Sequence, residues 1–238
     1  MAVETSVTAR VLPPARRLKW RIGATAWGTG AIARLRRHTR GLTMRDTALV
    51  VEGFPRSGNS FLVRYLRTCD PELRLGHHLH VVGQYARAAR WDVPAVLVVR
   101  RPLDAVLSLL VADPRMDAAL AVEWWRFYHQ RMLPYLDQVM VLPFERFTAD
   151  PEGAAHAIEQ RYGLDLHAEP YDEELQERIR ARLLETPGYQ RKGMAGLVPV
   201  PTEEKKARRR ELEDQAVAAL AGSGCEELHA RILERAGF

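Results

Sequence analysis

At 238 residues, 47% hydrophobic and 27% charged, the chain suits one globular domain with a short extension and excludes a disordered, fibrous or repeat protein. Its net charge of +5 is uneven: residues 1–45 carry ten Lys or Arg against Glu4 alone, net +9, and the remainder is net −4. Basic residues held in an arm, rather than on the folded body, argue against a nucleic-acid partner. The two cysteines, Cys69 and Cys225, form neither a disulfide framework nor a metal spacing, which points to a reducing, cytoplasmic setting.

In chain order, residues 1–45 read as a solvated basic arm with one or two short helical pieces. Trp20, Ile22, Trp27 and Ile32 among its arginines would allow peripheral contact with an anionic membrane surface. The start lacks the charged-then-apolar order of a signal peptide, and Ile22–Ala33 falls short of the about 20 residues a span requires. The domain proper is expected over 46–238. Thr47–Glu52 (TALVVE) reads as a buried parallel strand, Gly53–Ser60 as a glycine-punctuated turn, and Ser60–Thr68 as a helix. Ala95–Val99 (AVLVV) is a second strand, followed by helices over Asp104–Val111 and Asp117–Leu136. Val139–Leu142 is a third strand, with helices over Gly153–Tyr162 and Glu173–Leu184, one capped by Thr202, and one over Cys225–Arg235. Strands alternating with helices predict an α/β fold with a parallel sheet flanked by helices on both faces.

The turn Gly53-Phe54-Pro55-Arg56-Ser57-Gly58-Asn59-Ser60 has the glycine spacing of a phosphate-binding P-loop. Such a strand–loop–helix aims main-chain amides and a helix N-terminus at an anion. Asn59 stands where a nucleoside-triphosphate enzyme needs lysine, while Arg56 supplies a cation inside the loop. Further on, Arg100 follows the second strand and Ser108 lies eight positions later; an arginine at a strand's carboxyl end suits bidentate phosphate contacts. Pro102 and Asp104 there also read as an ordinary helix start. Arg191-Lys192-Gly193-Met194-Ala195-Gly196 is a third basic, glycine-bearing turn.

The segment Pro55–Phe61 resembles the 5′-phosphosulfate loop of the sulfotransferase family, usually Pro-Lys-Ser-Gly-Thr-Thr-Trp, with arginine at the second position as in tyrosylprotein sulfotransferases. Arg100 to Ser108 is similar to the family's 3′-phosphate motif, Arg-x-Pro-x-Asp-x-x-x-Ser. Arg191 to Gly196 is similar to its Arg-Lys-Gly-x-x-Gly segment, although the Asp-Trp that follows is replaced by Leu197-Val198. The three motifs stand in the family's order and span roughly residues 47–200. The resemblance implies a P-loop-NTPase-like sulfotransferase fold and a donor, 3′-phosphoadenylyl sulfate. Arg56, Ser57, Gly58, Asn59 and Ser60 would hold its 5′-phosphosulfate, Phe61 its adenine, and Arg100, Ser108, Arg191, Lys192 and Gly193 its 3′-phosphate. No metal is implied.

Sulfuryl transfer to a hydroxyl or amine requires a proton acceptor, and Gly76-His77-His78-Leu79-His80 concentrates three of the eight histidines. The family's histidine-leucine pair aligns with His78-Leu79, 22 positions before Arg100, which makes His78 the first candidate and His80 and His77 the next. Glu145 and Glu123 are fallbacks, because some branches use glutamate. Trp124 and Trp125 read as helix core or as acceptor-pocket lining. The acceptor itself, whether carbohydrate, lipid, metabolite or peptide, is open at this level. A P-loop nucleotide kinase and a non-catalytic nucleotide-binding protein are the alternatives.

Overall fold

The computed structural model describes residues 13–35, 37, 39–185 and 202–238. Its centre is a four-stranded parallel sheet: β1 (Leu49–Gly53), β2 (Leu75–His77), β3 (Ala95–Val99) and β4 (Met140–Pro143), in the order β2-β1-β3-β4. All three apolar runs expected to be strands are strands. Residues along β1 and β3 are buried on both sides, as a covered parallel sheet requires.

Side-chain alternation sorts the helices into two layers. Leu49, Val51, Val96 and Val98 face α3 (Asn59–Cys69), α7 (Phe144–Ala149), α8 (Pro151–Tyr162) and α9 (Glu173–Leu184). Val50, Ala95, Leu97 and Val99 face the other way, toward α4 (Gly83–Trp91), α5 (Pro102–Ala112) and α6 (Ala118–Met132). The terminal helices α10 (Glu203–Leu220) and α11 (Cys225–Arg235) complete that second layer. Asp117, Asp150, Asp172 and Thr202 each cap a helix by accepting from an amide three residues on, which explains why those helices start where they do.

Residues 13–35 are not a solvated arm. They form α1 (Pro13–Gly23) and α2 (Ala26–Leu35), and Trp20, 7% exposed, stacks on Trp124 of α6 at 5.3 Å and 8°. Arg17 clamps the Glu123 carboxylate with contacts of 2.7–3.0 Å. Thr29, Ile32 and Ala33 are buried as well, while Trp27 stays exposed. Among the described residues no helix is long and apolar enough to cross a membrane.

The strand order fixes where the motifs meet. Because β1 lies between β2 and β3, the chain leaves β1 toward one neighbour and later returns to the other side. That makes the carboxyl end of β1 the sheet's switch point, where open α/β sheets hold their ligands. All four strands are parallel, so the segments after Gly53, His77, Val99 and Pro143 emerge on the same edge.

Candidate functional site

The turn after β1 is built to keep its backbone tight. The Ser57 amide donates to Phe54 O at 3.2 Å, and Asn59 Nδ2 donates to the same oxygen at 3.1 Å. Gly58 caps α3 at φ 88°, with no side-chain cap, and an added Cβ would lie 2.6 Å from the Phe147 ring. Gly53 passes so near β3 that a Cβ there would sit 2.3 Å from Val98 O. Both glycines are thus demanded by geometry, one by its left-handed backbone and one by close approach. Arg56 itself holds φ 71°, an uncommon conformation for a side-chain-bearing residue.

The first two motifs come together. Arg56 Nε donates to Ser108 Oγ at 3.2 Å, and Arg100 Nη1 donates to the Arg56 main-chain oxygen at 2.9 Å. Arg100 lies over the Phe144 ring, 4.1 Å from its centroid, and burial pulls its guanidinium below the usual range. Among the described residues no carboxylate lies within ion-pair distance of Arg100. Its Nε and the Ser57 Oγ are buried with no hydrogen-bond partner. A buried guanidinium N–H and a buried hydroxyl left without partners are costly unless a ligand completes them.

Two further cations reach the same place from α10. Burial, and then the proximity of Arg56, lowers the Lys205 ammonium, and Arg209 pairs with Asp104 at the start of α5. Neither residue was legible in the sequence, because α10 reads there as an ordinary charged helix. Arg191, Lys192 and Gly193 lie outside the described residues.

The histidine segment leaves β2 and doubles back over β1. His78 and His80 both hold positive φ, 60° and 53°. What fixes that backbone is Glu52, fully buried at the end of β1. Its Oε1 accepts from the Leu79 amide at 2.6 Å, and its Oε2 from the His80 amide at 3.2 Å. Burial, opposed by these amides, pushes the Glu52 carboxyl up to about 8. Sequence reasoning missed Glu52; the signal was an acid closing an otherwise apolar buried strand.

The rings form a connected set. His78 Nε2 lies 2.8 Å from Ser60 Oγ, the two Nδ1 atoms of His77 and His78 lie 2.5 Å apart, and His77 Nε2 lies 2.9 Å from Arg67 Nη2. His80 Nδ1 lies 3.1 Å from Gly53 O and 3.6 Å from Glu52 Oε2. Ser60 and Asn59 therefore engage the protein through their side chains. Phe61 is partly buried, its ring against Phe147 and Tyr171.

Compared with known proteins, the chain matches no family model and no curated protein sequence.

The remaining candidates separate from this cluster. Glu123 lines, with Arg17, Trp20 and Phe127, a cleft of about 300 Å3 between α1 and α6 that contains no motif residue. Glu145 is exposed in the first turn of α7. Trp125 is fully buried and Trp124 packs between Trp20 and Phe54, so both serve the core. Among the described residues no group of three His, Cys, Asp or Glu is arranged to hold a metal ion.

Proposed function

We propose that the protein is a sulfotransferase of the P-loop type, moving a sulfuryl group from 3′-phosphoadenylyl sulfate to a hydroxyl or amine. The observation that carries this reading is the pair of unsatisfied buried groups, Arg100 Nε and Ser57 Oγ, at the switch point of the sheet. Four cationic side chains, Arg56, Arg100, Lys205 and Arg209, crowd this edge; burial, and then the neighbouring cations, lower Arg100 and Lys205, which suits a ligand carrying several negative charges.

In this scheme the acceptor atom attacks sulfur in line, the new bond to sulfur forms, and the bond from sulfur to the bridging phosphate oxygen breaks. Arg56, the uncapped N-terminus of α3 and the loop amides stabilise the negative charge gathering on that oxygen. Arg100 and Ser108 hold the 3′-phosphate and so orient the donor. A histidine of the Gly76–His80 segment takes the acceptor's proton. A kinase is disfavoured because the Asn59 amide, standing at the lysine position, is turned back onto Phe54 O and brings no charge to a triphosphate.

The test is transfer of radiolabel from the sulfuryl group of the donor into an extract of the native host. The expected result is a labelled product formed by the wild type and not by Arg56→Ala. Equal labelling by both proteins would contradict the role given to the loop.

A further inference from the structure

We infer that His80, rather than His78, is the histidine that accepts the proton, and that Glu52 is its positioning residue. This rests on the sulfuryl-transfer reading for what the proton comes from, but the assignment itself follows from which ring nitrogens carry hydrogen.

A guanidinium can only donate, so Arg67 Nη2 donates to His77 Nε2. Neutral His77 then has its hydrogen on Nδ1, where it meets His78 Nδ1. His78 Nδ1 must accept, which leaves its hydrogen on Nε2, donated to Ser60 Oγ. For His78 Nε2 to act as a base, both rings would have to exchange tautomers, and His77 Nε2–H would face Arg67 donor to donor. His78 is thus held as a donor that secures the first turn of α3.

His80 is set the opposite way. A carbonyl can only accept, so its contact with Gly53 O places the hydrogen on Nδ1 and the basic lone pair on Nε2. Glu52 holds this ring in place through the amides of Leu79 and His80, and its Oε2 lies 3.6 Å from Nδ1. Because Glu52 keeps its proton up to about pH 8, it acts on His80 by anchoring the two amides that fix the ring, and not by supplying charge to the imidazolium. The proton moves from the acceptor's O–H or N–H to His80 Nε2 as the acceptor bonds to sulfur, and the electron pair of the broken bond leaves with the bisphosphate.

Among the described residues, the groups facing this pair include His78, whose ring centroid is 5.9 Å from that of His80, Gln84 and Tyr85 of α4, and Tyr128 of α6. The Tyr85 hydroxyl donates to the Glu52 main-chain oxygen at 2.7 Å, so it supports the strand end rather than the carboxylate.

Nitrogen-15 NMR of the imidazoles in the intact chain reads the tautomers directly, with His80→Gln and His78→Gln used to assign the signals. The expected pattern is a hydrogen on Nδ1 of His80 and on Nε2 of His78; the reverse pattern overturns the assignment. Glu52→Ala, which removes the anchor of the Leu79 and His80 amides, should alter the His80 ring signals and lower turnover, while Glu52→Gln, which keeps an accepting oxygen, should restore both; His80 signals unchanged in Glu52→Ala contradict the positioning role. In donor turnover with water as acceptor, His80→Gln should lose about 100-fold or more while keeping its affinity for adenosine 3′,5′-bisphosphate, and His78→Gln should lose less. Turnover by His80→Gln at the wild-type rate would also overturn it. Failure of the wild type to bind the bisphosphate would instead sink the sulfuryl-transfer reading, leaving the tautomers to decide the base.

Discussion

Arg100 donates through Nη1 to the main-chain oxygen of Arg56 at 2.9 Å, tying the end of β3 to the turn after β1 while its own Nε stays buried and unpartnered. One side chain therefore serves as a strut and as an unmet positive charge. Arg100→Met should lower affinity for adenosine 3′,5′-bisphosphate by about 10- to 100-fold, the scale of one charged hydrogen bond at about 1.5–3 kcal/mol. The ligand-free protein should lose less than about 1 kcal/mol in urea unfolding, because an uncompensated buried charge leaves with the side chain. Equal affinity in the variant would contradict the assignment.

Stability should carry the mark of two buried groups of opposite sense. Glu52 keeps its proton in the fold up to about pH 8 but releases it near 4.5 when unfolded, so its contribution is full below 4.5 and lost as pH rises to 8. His129, stacked on Trp125 and fully buried, stays neutral down to about pH 3 against 6.5 unfolded, so its contribution is full above 6.5 and lost as pH falls to 3. The two slopes oppose each other between 4.5 and 6.5. Stability of Glu52→Gln relative to wild type should therefore rise with pH between 4.5 and 8, by at most about 1.4 kcal/mol per pH unit. A difference that does not change with pH would refute it.

Gly58→Ala should be costly to the fold itself, apart from any ligand. The left-handed backbone alone costs about 1–2 kcal/mol for an L-residue, and the new Cβ would strike the rings of Phe147 and Phe144 at 2.6 and 2.9 Å. Chemical denaturation should show at least that loss, together with weaker bisphosphate binding as the turn opens. A variant as stable as the parent would mean that the turn is looser than described.

Much of this was legible in the sequence, and the failures have physical reasons. β1 and β3 declare themselves as runs of aliphatic residues because a parallel sheet covered on both faces leaves no polar alternation. β2 does not, since Leu75–His77 is three residues long and holds a glycine and a histidine; it is a strand because β1 offers it an edge. α4 is hidden by its glycine start and mixed composition. The loop glycines, Arg56, Arg100 and Ser108 stand out by their spacing together with the family resemblance. Glu52 and Lys205 could not, because their roles depend on which turn folds over β1 and on where α10 docks. The arm misled for a related reason: its many arginines mask a narrow apolar stripe, and the partner of Trp20 is Trp124, far along the chain.

Trp20→Ala measures that last point. Removing a buried indole stacked on another should cost about 3 kcal/mol or more in the urea midpoint, as large aromatic truncations in cores do. A midpoint unchanged by the substitution would return residues 13–35 to the status of a loose leader.

The central claim is that this edge of the sheet grips an adenosine phosphorylated at both its 3′ and 5′ positions. Isothermal calorimetry of the purified wild type with adenosine 3′,5′-bisphosphate tests it most directly. The account predicts saturable one-to-one binding, indifferent to Mg2+ and tighter than that of ATP with Mg2+. No heat from the bisphosphate, or tighter binding of the magnesium–ATP complex, would contradict it.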